Sequence, residues 1–207
     1  MRLAVLGGSG RIGQHILASA LASGHDVTAL ARRPETLGAA RGLTVINGDA
    51  TDGRAVGDLV AGADAVLSAL GPRGAKTPDL LARAGRNIVA GMSKAGVRRL
   101  ICVSAAGAFI QADPDTGMLI KLILPRVLAG QFADVREMEA IVTASDLDWT
   151  TVRASRLINS RPTGHYRVRP DYPPPGGGKI ARADVAHFMA ACLTEGNWVR
   201  GRPALAY

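Results

Sequence analysis

Glycines at positions 7, 10 and 13, in the run GGSGRIG, stand between an unbroken apolar stretch (residues 3–6) and apolar residues at helical spacing. The pattern G-x-x-G-x-x-G suits a backbone that must turn tightly, approach a ligand closely and then seat a helix against a strand. Gly7 answers to the first task, Gly10 to the second and Gly13 to the third. A helix opening at Arg11 and Ile12 presents unpaired amides and the positive end of its dipole to an anion. The chemistry expected of Gly7, Ser9, Gly10, Arg11, Ile12 and Gly13 is therefore pyrophosphate binding by a dinucleotide site. About 20 residues further on, an acid would bind both hydroxyls of a ribose. This chain has Arg32-Arg33 instead. Two guanidiniums there suit a 2′-phosphate through charge-assisted hydrogen bonds, which predicts NADP, with NADPH preferred over NADH.

The elements that must position this turn are legible as alternating patterns. Apolar runs at 3–6, 27–31, 43–46, 64–70, 100–104 and 147–153 read as strands, the first buried on both faces. Ile12, Ile16, Leu17, Ala20 and Leu21 recur at helical spacing until Gly24. Thr77-Pro78 is a good cap and first-turn pair for a helix through Met92, with Gly96 beyond its end. Residues 134–145 and 183–193 read as further helices and 203–207 as a short last strand. Strands alternating with helices predict an α/β fold, a doubly wound parallel sheet with right-handed crossovers, in one domain spanning residues 1–207. Residues 155–178 break the rhythm with Pro162, Pro170, Pro173, Pro174, Pro175 and three consecutive glycines. They read as an irregular surface insertion that shapes a substrate site.

Composition bounds the partners. At 207 residues, 47% hydrophobic and 20% charged, the chain has the values of one ordinary globular domain, not of a disordered one. The most apolar stretch, residues 118–130, is broken by Lys121 and Arg126, so no membrane span is expected. The N-terminus lacks the pattern of a signal peptide, and Cys102 and Cys192 cannot build a disulfide framework; a reducing, cytoplasmic location is expected. The net charge of +8 comes chiefly from arginine, since lysine occurs only at 76, 94, 121 and 179. Without lysine runs or interleaved aromatics this charge does not predict nucleic-acid binding. Arg153, Arg156, Arg161, Arg167 and Arg169 form a local excess with no acid among them, which favours a small anionic ligand.

Other chemistries fit poorly. Residues 71–77 end like a phosphate-binding P-loop but lack its glycine before the lysine. His15, His25, His165 and His187 have no metal-ligand spacing, so no metal is expected. The run at 7–11 lacks the last glycine of a nucleophile elbow.

Several motifs in one order resemble the atypical short-chain dehydrogenase/reductase superfamily, in particular its small NAD(P)-binding members. They are GGSGRIG, LARRPETL (30–37), GDATD (48–52), LSALGPRG (67–74), GRNIVAGM (85–92), SDLDWTTVR (145–153) and ARADVAHFMAACLT (181–194). LGPRG, GRNIVAGM and HFMAACLT are most similar to the flavin reductase/biliverdin-IXβ reductase group. The resemblance implies a Rossmann fold, with Asp49 and Ala50 at the adenine and Leu70, Gly71 and Arg73 at ribose and phosphates. It puts Ser104 at the nicotinamide side, and Arg153, Ala154 and Ser155 lining the nicotinamide. Two departures matter. The Tyr-x-x-x-Lys pair of the superfamily is absent, which argues against a tyrosine proton donor. The group's active-site serine falls on Ala105, beside Ser104, and its histidine on Arg156. The expected activity is hydride transfer from NADPH to a flavin, quinone or similar planar acceptor, with Ser104 and Arg156 nearest the chemistry. A non-catalytic NADP(H)-binding redox sensor, like the nitrogen-metabolite-repressor-like branch, is the alternative from another class. An isomerase or dehydratase using a bound cofactor is a third. Leu119, Leu122, Ile123, Val127 and Leu128 belong either to the core or to a dimer face, and either monomer or homodimer fits.

Overall fold

The computed structural model describes residues 1–71 and 79–207. Strands β1 (Arg2–Leu6), β2 (Asp26–Ala31), β3 (Leu43–Asn47), β4 (Ala65–Ser68), β5 (Arg99–Ala105) and β6 (Asp148–Ala154) follow the apolar runs of the sequence. They form one parallel sheet, extended at one edge by β10 (Pro203–Ala206) and β8 (Arg167–Pro170), in the order β3-β2-β1-β4-β5-β6-β10-β8. Among the described strands only β8 is antiparallel to its neighbour. The fold is therefore the doubly wound α/β architecture the alternation predicts.

Each face of the sheet carries its own core because strand residues alternate sides. Ala4, Leu6, Val66, Leu100 and Cys102 point to one face, where α2 (Gly53–Val60), α3 (Leu80–Ala95) and α5 (Ala129–Thr143) pack. Leu3, Val5, Leu67, Ile101 and Val152 point to the other, beneath α1 (Arg11–Ala22) and α6 (Arg182–Thr194). The C-cap of α3 is Gly96 at φ 70°, the stop its sequence announces. The cap expected from Thr77-Pro78 lies outside the described residues.

Register places the site. Leu6 aligns with Leu30 on one side and with Ser68 on the other, so β1, β2 and β4 end level. The strand order turns back between β1 and β4, and crevices at such reversals, outside the carboxyl ends of the strands, are where ligands bind.

The segment 155–178 is more ordered than its prolines suggest. β7 (Arg156–Ile158) and β9 (Lys179–Ala181) form a small parallel sheet, while β8 docks on β10 at the sheet edge. Proline is tolerated there because Pro170 and Pro203 face each other at the end of the edge pairing, where ladder donors are dispensable. The apolar stretch after residue 117 forms α4 (Met118–Val127). Leu124 and Leu128 pack against the core, whereas Leu119, Leu122, Ile123 and Val127 are exposed. Among the described residues no helix is long and apolar enough to cross a membrane.

Candidate functional site

The glycine turn is built as its spacing requires. Gly7 has φ +79°, and a Cβ there would sit 2.7 Å from the Ala69 carbonyl carbon, so both the turn and the approach of β4 demand glycine. The Gly10 amide donates to the Gly7 carbonyl at 2.9 Å, closing the turn directly before α1. A Cβ on Gly13 would lie 2.1 Å from the Gly7 oxygen, closer than any real contact. Gly13 thus fixes the distance between helix and turn from beneath, and it does not line the cavity.

Above the turn lies a cavity of about 460 Å³. It brings together Gly7, Ser9, Gly10, Arg11, Ile12, Arg32, Asp49, Ala50, Leu70 and Gly71, ten of the residues expected to hold a cofactor. Leu30, Leu70 and Leu80 give one end an apolar lining, while Arg11, Arg32 and Arg182 supply cations. Arg32 Nη1 stands 3.8 Å from Asp49 Oδ2. The Asp49 carboxyl is held below its usual range, first by the Thr51 amide at 2.8 Å, against the opposing effect of burial, then by the Thr51 hydroxyl and by Arg32 and Arg83. Asp49 therefore both orders the approach to α2 and steadies Arg32 at the end of β2. Arg33 is exposed and outside the lining, at the start of a short 3₁₀ turn. Arg73 lies outside the described residues.

The strand-five and strand-six residues are arranged differently from expectation. Ser104 and Arg153 face each other in the β5–β6 pairing and are 4% and 5% exposed. The Ser104 hydroxyl donates to Glu139 Oε2 at 2.6 Å, and the Arg153 guanidinium pairs with the same carboxylate. Arg153 also donates to the Asp171 carbonyl at 2.7 Å and sits 3.6 Å over the Phe109 ring. The polar atoms of both are thus engaged in a buried cluster with Glu139 of α5, and neither residue is among those lining the cavity. Glu139 and Phe109 were missed because nothing in their spacing announces partners 14 to 44 residues away; only a buried acid inside an apolar helix pattern could have pointed to Glu139.

Ala154 is a buried strand residue between Ala105 and Leu205. Ser155, next to it, is 9% exposed, and its Oγ has no hydrogen-bond partner among the described residues. Arg156 is exposed on β7, opposite Lys179. Two other arginines of its segment are engaged, Arg169 with Asp115 and Arg167 with the Pro175 and Tyr207 carbonyls, while Arg161 is exposed.

Comparison with known proteins agrees with this geometry. The family model described as NAD(P)H-binding matches residues 7–196. A 3-beta-hydroxysteroid dehydrogenase of Mycolicibacterium neoaurum is 39% identical over 66 residues, which are 32% of this chain and only 18% of that enzyme. Among solved structures, a Burkholderia pseudomallei protein described as a candidate exported protein is 27% identical, with each chain wholly covered and a TM-score of 0.84. A short-chain dehydrogenase/reductase of Veillonella parvula, solved in complex with NADP, has a TM-score of 0.84 at 20% identity, covering 100% of this chain and 94% of that one. ChuY of Escherichia coli O157:H7, an anaerobillin reductase, has a TM-score of 0.83 at 21% identity, covering 100% and 97%. The last two establish the shared fold. With the glycine turn, the arginine-lined cleft and the family match over nearly its whole length, the chain belongs to the NAD(P)H-binding family.

Proposed function

We propose that this protein is an NADPH-dependent reductase that passes a hydride to a flavin, quinone or similar planar acceptor. The observation that carries the reading is Arg32 lining the glycine-turn cleft at the end of β2, where an NAD site would hold an acid. The cavity's lining fits the cofactor, with guanidiniums for its phosphates and leucines for the adenine. The Ser155 hydroxyl, which lies outside that lining and has no partner among the described residues, is assigned to the carboxamide. When bound, the dinucleotide supplies the hydride, and solvent supplies the one proton that completes reduction of a quinone or flavin.

The chain's own residues have correspondingly little chemistry to perform. Gly7, Ser9, Gly10 and Ile12 hold the pyrophosphate against the α1 amides, and Asp49 keeps Arg32 oriented. Arg156 is the acceptor-side residue. Its permanent charge stabilises the anion formed on an acceptor or grips an acceptor's phosphate or carboxylate, and it cannot serve as proton donor. Ser104 contributes through Glu139, by fixing the end of β5. The substrate is thus a small planar or anionic molecule. Two buried free thiols suit a reducing compartment such as the cytoplasm, with the Cys192 thiol pushed up to about 12 by burial and so unreactive.

A redox sensor is the second reading, favoured by the Ser104–Glu139–Arg153 cluster, which engages the polar atoms of Ser104 and Arg153 with a shared carboxylate partner. Oxidation of NADPH by purified protein, with free flavins and small quinones as acceptors, separates the two. Saturable turnover preferring NADPH, reduced in Arg156→Ala, is expected. Tight NADPH binding without turnover on any acceptor would favour the sensor, and full turnover in Arg156→Ala would remove Arg156 from its role.

A further inference from the structure

Arg182 is a cavity residue to which the sequence motifs assign no role. It opens α6, about 170 residues after the glycine turn, yet it lines the same cleft as Gly10, Arg11 and Ile12. Helices α1 and α6 pack side by side on one face of the sheet. Their first residues, Arg11 and Arg182, therefore reach the cleft from neighbouring elements. The two guanidiniums are close enough for Arg11 to add to burial in lowering the affinity of Arg182 for its proton. Among the described residues neither pairs with a carboxylate. Arg182 instead donates to the Asn159 Oδ1 at 2.8 Å, a neutral partner that directs the group without cancelling its charge.

Two uncompensated like charges at one cleft cost free energy unless an anion comes between them. We infer that Arg11 and Arg182 form a clamp for the cofactor's pyrophosphate, each reaching it from the first residue of its own helix. The inference rests on the reading of the cleft as a dinucleotide site. It assigns to Arg182 a phosphate contact and to Asn159 the task of positioning it. Because Asn159 directly follows β7, which carries Arg156, the same contact ties the occupied cofactor site to the strand on the acceptor side.

The test compares two ligands that share the 2′-phosphate but not the pyrophosphate: NADPH and adenosine 2′-monophosphate, titrated calorimetrically into wild type, Arg182→Ala, Asn159→Ala and Arg32→Ala. Arg182→Ala should weaken NADPH by about 10- to 100-fold, the weight of a charge-assisted hydrogen bond, and leave the monophosphate within about twofold. Asn159→Ala should weaken NADPH alone by about threefold, as expected for loss of orientation rather than charge. Arg32→Ala should weaken both ligands. Unchanged NADPH affinity in Arg182→Ala overturns the clamp, as does an equal loss for both ligands, which would mark a general effect on the fold or field. Wild type that binds neither ligand overturns the dinucleotide reading and the clamp with it, an outcome distinct from failure of Arg182 alone.

Discussion

At the residue scale, what the sequence revealed depended on whether a residue's role is local. Gly7 and Gly13 were legible because only glycine tolerates a positive φ at the turn or a carbonyl 2.1 Å from its missing Cβ. Gly13→Ala should accordingly cost at least ~2 kcal/mol, or prevent folding, read by urea denaturation. Arg32 was legible because its place after β2 is set by counting from the turn. Arg32→Ala should lower NADPH affinity by about 10- to 100-fold while sparing NADH, the weight of a hydrogen bond to an ionised phosphate. Equal losses for the two cofactors would show that Arg32 does not read the 2′-phosphate. Arg182 and Glu139 were illegible for the converse reason: each acts on residues brought near only by helix packing. Ser104 is the opposite case, a recognisable position whose hydroxyl partner, Glu139, the sequence did not reveal.

At the element scale, strands and helices of the sheet followed hydrophobic periodicity closely, whereas the stretch after β6 did not. Its prolines read as breakers, yet Arg167, Val168, Arg169 and Pro170 form an edge strand because edge positions need only half of their backbone donors paired. Two polar anchors hold this region to the rest. The first is Glu139 on α5, which gathers Ser104 and Arg153, while Arg153 reaches the Asp171 carbonyl. Glu139→Ala should destabilise the protein by about 3–5 kcal/mol, because it strands a buried guanidinium. A cost below ~1 kcal/mol in chemical denaturation would mean that water replaces the carboxylate. The second is Asp184 on α6, which accepts from the Thr163 and Gly164 amides, the Thr163 hydroxyl and the Tyr207 hydroxyl. Burial raises its pKa, but these donors together outweigh burial and hold the carboxyl below its usual range. The folded state thus favours the charged form, so its stabilisation is present above the unfolded value of about 3.9 and is lost as pH falls through the lower folded value. Wild type and Asp184→Asn should therefore differ most in melting temperature near neutral pH and converge as the pH falls through the lowered carboxyl value. A constant difference down to acid pH would show that the carboxylate's charge is not what matters.

At the scale of the whole molecule, the topology concentrates cations where strand order reverses. Arg11, Arg32 and Arg182 reach one cleft from α1, β2 and α6, and the only carboxylate among the cavity's described lining residues, Asp49, is beside Arg32. A ligand bridging these elements must stabilise all of them together. At a concentration 100 times its dissociation constant, NADPH should add about 2.7 kcal/mol to the stability of the folded chain. The most direct measurement is equilibrium titration of the wild-type protein with NADPH and with NADH in the same buffer, followed by calorimetry. A cleft built around a 2′-phosphate predicts that NADPH binds at least about tenfold more tightly, with one site per chain. Equal affinity for the two, or binding of neither, would contradict the account.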